Sequence, residues 1–317
     1  MAVFRPSEER FLRQVRTLQE QTISDWVCII GIDGADPLTR DKAIRLTGAD
    51  PRFTVHEFES NVGFYRNFER LLAMVSPETA WIALADQDDE WDRDKLKVLT
   101  EALRLQGVPL ALCQARIVNA AGAVIGTTGR QRVGMTSLLL NNQITGSLAA
   151  FRPLVAKVAL PFPEPTAASY HDHWLGMVAQ ALGGYALVDE QYQNYIQHGD
   201  NVLGEELGPR LRSRAANLFR GGPSAAIERL IHERWGWRRR MAIEIQQRLP
   251  STSLPKAVND IAHGSFTPAV CRALIIAVQR DDLPPSRALS LGCAAFLTSL
   301  SRLVILKRRP NRVTPER

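Results

Sequence analysis

The stretch Ala85-Asp86-Gln87-Asp88-Asp89-Glu90-Trp91 places four acids within five residues. An apolar run over 81–85 precedes it and reads as a short buried strand. Carboxylates are therefore delivered to the C-terminal end of a strand, the edge at which open α/β sheets bind their ligands. Closely spaced Asp side chains offer hard oxygen ligands for Mg²⁺ or Mn²⁺, and such an ion usually carries a substrate phosphate. The simpler alternative is an acidic turn capping a helix that starts near Asp92, although a cap needs one or two acids and gives no reason for four. A second carboxylate of interest is Asp172 in His171-Asp172-His173-Trp174, where a helical pattern begins. An Asp at the start of a helix reads as a cap. His198, in the polar segment 195–202, faces either a metal or solvent.

The elements that must position these groups follow from periodicity. Residues 2–4 read as the end of a strand, 7–21 as a helix with Phe11, Leu12, Val15 and Leu18 at helical spacing, and 26–30 as a second strand ending in the Asp33-Gly34 turn. A helix over 39–46, a strand over 53–58, a turn at Asn61-Val62-Gly63 and a helix over 65–75 come next. Four alternations of strand and helix in under a hundred residues predict a parallel sheet with helices on its faces. Beyond the acidic motif, the pattern gives a helix over 94–105, a strand over 110–118, a polar loop from 121 to 134, and a short helix over 135–140. A strand over 143–152 follows, and its Gly146 would let a ligand approach the backbone closely. A proline-stiffened loop then leads to a helix over 174–182 and a strand over 185–188.

The chain has 317 residues, enough to bury a proper core in one large domain or two smaller ones. Its net charge of +6 hides an asymmetry, with acids around 86–94 and arginines crowded after 210. Such a basic region fits nucleic acid, anionic lipid or a solvated helical surface, the last being the commonest cause. Cys28, Cys113, Cys271 and Cys293 are scattered, with no Cys-x-x-Cys pair, and read as reduced core thiols of a cytoplasmic protein. No signal peptide is visible, since Arg5 and Pro6 come before any hydrophobic region. Residues 288–306 carry a single charge, Arg302, yet their serines and threonines favour an in-plane or core helix over a membrane span.

Taken in order, these residues resemble a family, the inverting glycosyltransferases of family 2 with the GT-A fold, and in particular their rhamnosyltransferase-like branch. The resemblance covers about residues 1–205. It is carried by Ala2-Val3-Phe4-Arg5-Pro6, Gln21-Thr22, Asp33-Gly34, Asn61-Val62-Gly63 with Asn67-Phe68, the acidic motif with Lys95-Leu96, Ile144-Thr145-Gly146, His171-Asp172-His173-Trp174, and Gln197-His198-Gly199-Asp200-Asn201. The chain departs from the family at its shortened first strand and at Ile32-Asp33-Gly34-Ala35, where the usual turn is Asp-Asp-Gly-Ser.

The resemblance implies a mixed GT-A sheet flanked by helices over residues 1–208 and a basic helical extension over 209–317. It implies a nucleoside-diphosphate sugar donor, with dTDP-rhamnose the first choice, and a glycan or lipid-linked acceptor of cell-surface polysaccharide. Nucleic acid is not an expected partner. Donor contacts are expected from Phe4, Asp33, Asn61, Asn67 and Asp86, metal contacts from Asp88, Asp89 and His198, and base catalysis from Asp172. Gly146, His171, His173 and Trp174 lie on the acceptor side, and Trp91 and Trp174 are the aromatic residues considered for stacking, with buried packing as their commoner role. The extension, with Arg238-Arg239-Arg240 and Lys307-Arg308-Arg309, is expected to rest on the anionic inner face of the plasma membrane. Two rivals remain. A nucleotidyltransferase would need a Gly-rich, Lys- or Arg-bearing phosphate loop after the first strand, which is missing. A degenerate, non-catalytic module that only binds glycan or membrane would have had little reason to keep every acid.

Overall fold

The computed structural model describes residues 1–119, 122–196 and 222–307. The chain divides into two compact units. The first comprises Met1–Val133, Asn142–Phe162 and Tyr170–Arg210, and the second Gly134–Asn141, Pro163–Ser169 and Leu211–Arg317. Two short segments before residue 208 thus belong to the second unit, which a linear division of the chain does not capture.

The first unit opens with β1 (Ala2–Val3), α1 (Glu8–Gln19), β2 (Cys28–Ile32), α2 (Pro37–Thr47), β3 (Phe53–Glu57) and α3 (Gly63–Ala73). The three strands form one parallel sheet in the order β1-β2-β3, with Val3 opposite Ile32 and Cys28 opposite Phe53. α1 forms because Phe11, Gln14, Val15 and Leu18 make one buried stripe, while Glu8 and Glu9 meet the positive end of the helix dipole and Arg16 the negative end. α2 starts at Pro37 behind Asp36, whose side chain accepts from the Thr39 amide at 3.2 Å. Phe11, Val15, Leu18, Ile30, Ile32, Trp91 and Leu96 share one core cluster.

The second sheet is mixed. It contains β4 (Ile82–Ala83), β5 (Glu90–Trp91), β6 (Leu110–Val118), β7 (Val124–Thr127), β8 (Ala149–Phe151) and β9 (Tyr185–Ile196), and runs β4-β8-β6-β9-β5 with β7 paired to β6. Only β6 and β9 are parallel; β4, β5, β7 and β8 are each antiparallel to their partners. The expected mixed sheet flanked by helices is therefore present, but the parallel alternation stops after β3. α4 (Lys95–Gln106), α6 (Pro153–Ala159) and α7 (His171–Leu182) complete this unit.

Several local readings are corrected. The strand expected over 81–85 is only two residues long, the polar loop after 121 contains β7, and the strand over 143–152 is broken by a 3₁₀ turn at Gly146–Leu148. At that turn Gly146 packs against His171 and Asp172. β9 runs on to Ile196, well past the four residues expected. All four cysteines are free, but only Cys113 is buried, and Cys293 is exposed.

The second unit is helical. It contains α5 (Met135–Leu140), helices over Gly222–Glu228, Gly236–Arg248, Lys256–Ala262, Pro268–Gln279 and Pro285–Lys307, and a π-helical segment at Arg229–Trp235. Arg238 is buried and donates to the Leu140 carbonyl at 2.7 Å, Arg239 donates to the Ala262 carbonyl and Arg240 to that of Glu164. Arg238 is therefore withdrawn from the surface, while Arg239 and Arg240 remain partly exposed. Arg308 and Arg309 lie outside the described residues. No helix of the described residues is long and apolar enough to cross a membrane.

At the edge of the first sheet, Arg52 grips Asp50 at 2.7 Å and lies over the Trp26 ring at 4.1 Å. Hydrogen bonding from Arg52 pulls the Asp50 carboxyl from its ordinary 3.8 to about 2. The folded-state value is depressed, so this contribution to stability is complete above about pH 4 and is lost as pH falls towards 2. Asp50→Asn should flatten the acid limb of a stability-versus-pH curve measured by urea unfolding between pH 2 and 6. An unchanged acid limb would show that Asp50 is not coupled to folding.

Candidate active site

The acidic motif leaves β4 through Leu84 and Ala85, both buried, and turns back into the sheet at β5, whose Glu90 and Trp91 pair with Asn194 and Gln193. The motif is thus a loop pinned at both ends. Gln87, the uncharged residue among the acids, fixes it to the first sheet. It accepts from the Phe4 amide at 2.8 Å and donates to the Phe4 carbonyl at 3.2 Å, the two-point pairing an amide side chain offers a strand. Sequence reasoning missed this role because the two residues are 83 positions apart.

Asp89 points into a buried network. Its carboxylate accepts from Gln193 Nε2 at 2.5 Å, and Gln193 in turn accepts from Lys95, which also donates to the Ser147 carbonyl and lies over the Trp91 ring at 3.6 Å. Burial pulls the Lys95 ammonium down to about 8, while burial and the charges of Asp86 and Asp88 hold Asp89 well above the usual carboxylate range. Trp91 is a core residue here and has a cation for a neighbour.

Asp86, Asp88 and Asp172 line a cleft of about 450 Å³. Burial first, then the charges of Asp88 and Asp172, push Asp86 up to about 7. A carboxyl raised in this way beside two further carboxylates marks a site where a cation is welcome. Among the described residues no set of three His, Cys, Asp or Glu side chains is arranged to hold a metal ion.

Asp172 is the second residue of α7 rather than the residue before it. One carboxylate oxygen accepts from Asn142 Nδ2 at 3.0 Å and from the His173 amide at 2.6 Å, and the other from the Gly146 amide at 3.3 Å. A carboxylate has about four acceptor positions, so three donors orient it and leave one free for a proton. Gly146 is required at this point because a Cβ there would stand 2.7 Å from His171 Nε2. The close approach that Gly146 permits is that of His171 and not of a ligand.

Asp33 also lines the cleft, but its carboxylate is committed. It accepts from the amides of Val62 and Gly63, each at 2.9 Å, and from Arg70 at 2.7 Å, and so fixes the start of α3, where Gly63 has φ +76°. Asn61 and Asn67 donate to the carbonyls of Asp33 and Gly31, holding the same corner. Phe4, Asn61, Asn67, Gly146, His171 and Asp89 all reach the cleft. His173 and Trp174 do not line it: both are buried, and Trp174 donates to the Ala159 carbonyl at 3.0 Å. His198 lies outside the described residues.

Removing the cation under the motif tests how the loop is held. Lys95→Met should cost roughly 3 kcal/mol, since Asp89 stays buried without the cation behind its Gln193 donor. The loss should be smaller at pH 5 than at pH 7.5, because a carboxyl held above its ordinary range takes up a proton as pH falls and ceases to be a buried charge. Urea unfolding of both proteins at the two pH values provides the measurement, and an equal loss at both would show that Asp89 is not the group left unpaired.

Residues 2–150 match the profile of the family described as Glycosyl transferase family 2. No curated protein matches the chain by sequence. Among solved structures, the chain is similar to residues 1–349 of TarS from S. aureus in complex with UDP-GlcNAc, at 15% identity and a TM-score of 0.55, covering 95% of this chain and 88% of that one. It is likewise similar to the same protein in complex with UDP, at 14% identity and a TM-score of 0.54, covering 99% and 94%. At these identities the likeness concerns the fold, which is that of a GT-A enzyme. The stretch that matches the family 2 profile, residues 2–150, holds the acidic motif, and Asp172 lies beyond it.

Proposed function

We propose that this chain is an inverting, metal-dependent glycosyltransferase that moves a sugar from a nucleoside diphosphate to a hydroxyl of a glycan or lipid-linked acceptor. The observation that carries this reading is the convergence of Asp86, Asp88 and Asp172 on one cleft within a unit that bears the family 2 match. A divalent ion, when bound, would neutralise the diphosphate as it departs. Asp88, which lines the cleft, is the preferred protein ligand, because Asp89 is engaged by Gln193 beneath the loop. Asp86 stands beside it to meet the donor. Phe4, Asn61 and Asn67 line the same cleft and are assigned to the nucleotide, whereas Asp33 is assigned to shaping the corner that holds them. Asp172, oriented by Asn142 and two backbone amides, takes the proton of the attacking hydroxyl. The donor proposed first is dTDP-rhamnose, on the order and form of the motifs. A panel of dTDP-, UDP- and GDP-sugars, read as nucleoside diphosphate release, identifies it.

Two variants separate the roles. Asp172→Asn keeps the shape and most of the hydrogen bonds but cannot take a proton. Turnover should fall by about 10²–10⁴, equivalent to roughly 3–5 kcal/mol of barrier. Calorimetric affinity for the nucleoside diphosphate should be retained. Asp88→Ala should abolish the Mn²⁺-dependent part of that affinity. Turnover of Asp172→Asn within about threefold of wild type would refute the base role. Full Mn²⁺-dependent binding by Asp88→Ala would refute the ligand role.

Membrane contact is proposed for the helix Pro285–Lys307 rather than for the arginine triplet, whose Arg238 is buried. Leu289, Phe296 and Leu300 are exposed on one face of it, opposite the buried Leu291, Ala294 and Ala295. Leu289→Glu with Leu300→Glu should reduce sedimentation with anionic vesicles. A wild-type protein that stays in the supernatant at low ionic strength would rule the contact out.

A further inference from the structure

Neither tryptophan considered for stacking reaches the cleft, but a different set of rings does. Phe64, the second residue of α3, and Tyr170, the residue before α7, stack with centroids 5.9 Å apart and planes at 27°. Both are half-buried and line the cleft, so each is partly open to it. His171 supports them from below. Its ring is stacked on Phe68 at 4.0 Å and 23°, and Phe64 meets it edge-on at 5.9 Å. His171 is only 8% exposed, and its two ring nitrogens have no partner among the described residues although the residue lines the cleft. Those nitrogens are themselves buried, and burial lowers the pKa below 6.5, so the imidazole stays neutral and acts as a ring beneath the pair.

We propose that the Phe64–Tyr170 pair, with His171 beneath it, is the platform on which the acceptor sugar lies, apolar ring face against the aromatics and a hydroxyl turned to Asp172. This rests on the glycosyltransferase reading above. A pyranose has a face of C–H groups and a rim of hydroxyls, which matches a shelf of rings beside the Asp172 carboxylate. The position selects the acceptor. Tyr170 is two residues from Asp172, and the base must lie within hydrogen-bond reach of the hydroxyl it deprotonates.

The test uses the full chain with Mn²⁺ and the nucleoside diphosphate it binds best among UDP, GDP and dTDP. Methyl pyranosides of glucose, mannose, rhamnose and N-acetylglucosamine at millimolar concentration serve as probes. Saturation-transfer NMR on wild type should mark the ring protons of one sugar face. Phe64→Ala and Tyr170→Ala should each weaken pyranoside binding about three- to tenfold, with nucleoside diphosphate affinity unchanged by calorimetry. Tyr170→Phe should retain binding, since it keeps the ring. If the alanine variants fail to fold, Phe64→Leu and Tyr170→Leu, which keep apolar volume, should still lose the one-face pattern. Four results overturn the proposal: unchanged pyranoside binding in the ring-less variants, loss in Tyr170→Phe equal to that in Tyr170→Ala, loss of nucleoside diphosphate affinity in place of sugar affinity, or a wild type that binds the diphosphate and no pyranoside. A wild type that binds no nucleoside diphosphate defeats the parent reading, and the platform falls with it.

Discussion

Like charges resist being gathered, and this fold holds Asp86, Asp88 and Asp172 around one cleft with Asp89 directly beneath. Burial first, and then that crowding, push the Asp86 carboxyl up to about 7. Much of the surrounding structure can be understood as containing that repulsion. Lys95 is placed inside the protein, where an ammonium is itself disfavoured, and is held there by Ser147, Gln193 and the face of Trp91. Gln87 anchors the loop to a neighbouring strand without adding charge. Asp33, by contrast, is neutralised outright by Arg70 and two amides, which is why it shapes the site and is not counted among the groups that await a ligand.

The parts of this arrangement that were legible in the sequence are those written in consecutive residues. The three parallel strands announced themselves through apolar runs alternating with amphipathic helices, and the acidic motif through its composition. The antiparallel half was not legible, because β4 and β5 are two residues each and β7 is largely exposed, so neither length nor alternation marks them. The apolar run over 143–152 is buried whether extended or turned, and periodicity does not distinguish the two. Pairings such as Lys95 with Gln193, 98 residues apart, exist only after folding.

The tryptophans teach the same lesson in reverse. Trp91 and Trp174 stand beside the two chemical motifs in the sequence, yet both face the core, where their bulk fixes the elements that carry the acids. The rings that do open onto the cleft, Phe64 and Tyr170, come from segments separated by about a hundred residues and meet only because α3 and α7 begin at the same place. Proximity to a motif along the chain was a poor guide to proximity in space.

The interleaving of the two units bears on how this protein can be dissected. α5 lies early in the chain, yet Leu138, Leu139 and Leu140 are fully buried and the last of them accepts from Arg238, within the second unit. A truncation at the end of the family match, or at residue 208, would strip α5 of the helices that cover it and expose three consecutive leucines on what remains. An excised catalytic half would therefore tend to aggregate for reasons unrelated to its active site, and its inactivity would say nothing about the helical region's part in catalysis. Splitting this enzyme cleanly calls for replacing residues 134–141 and 163–169 with polar linkers as well as cutting the chain.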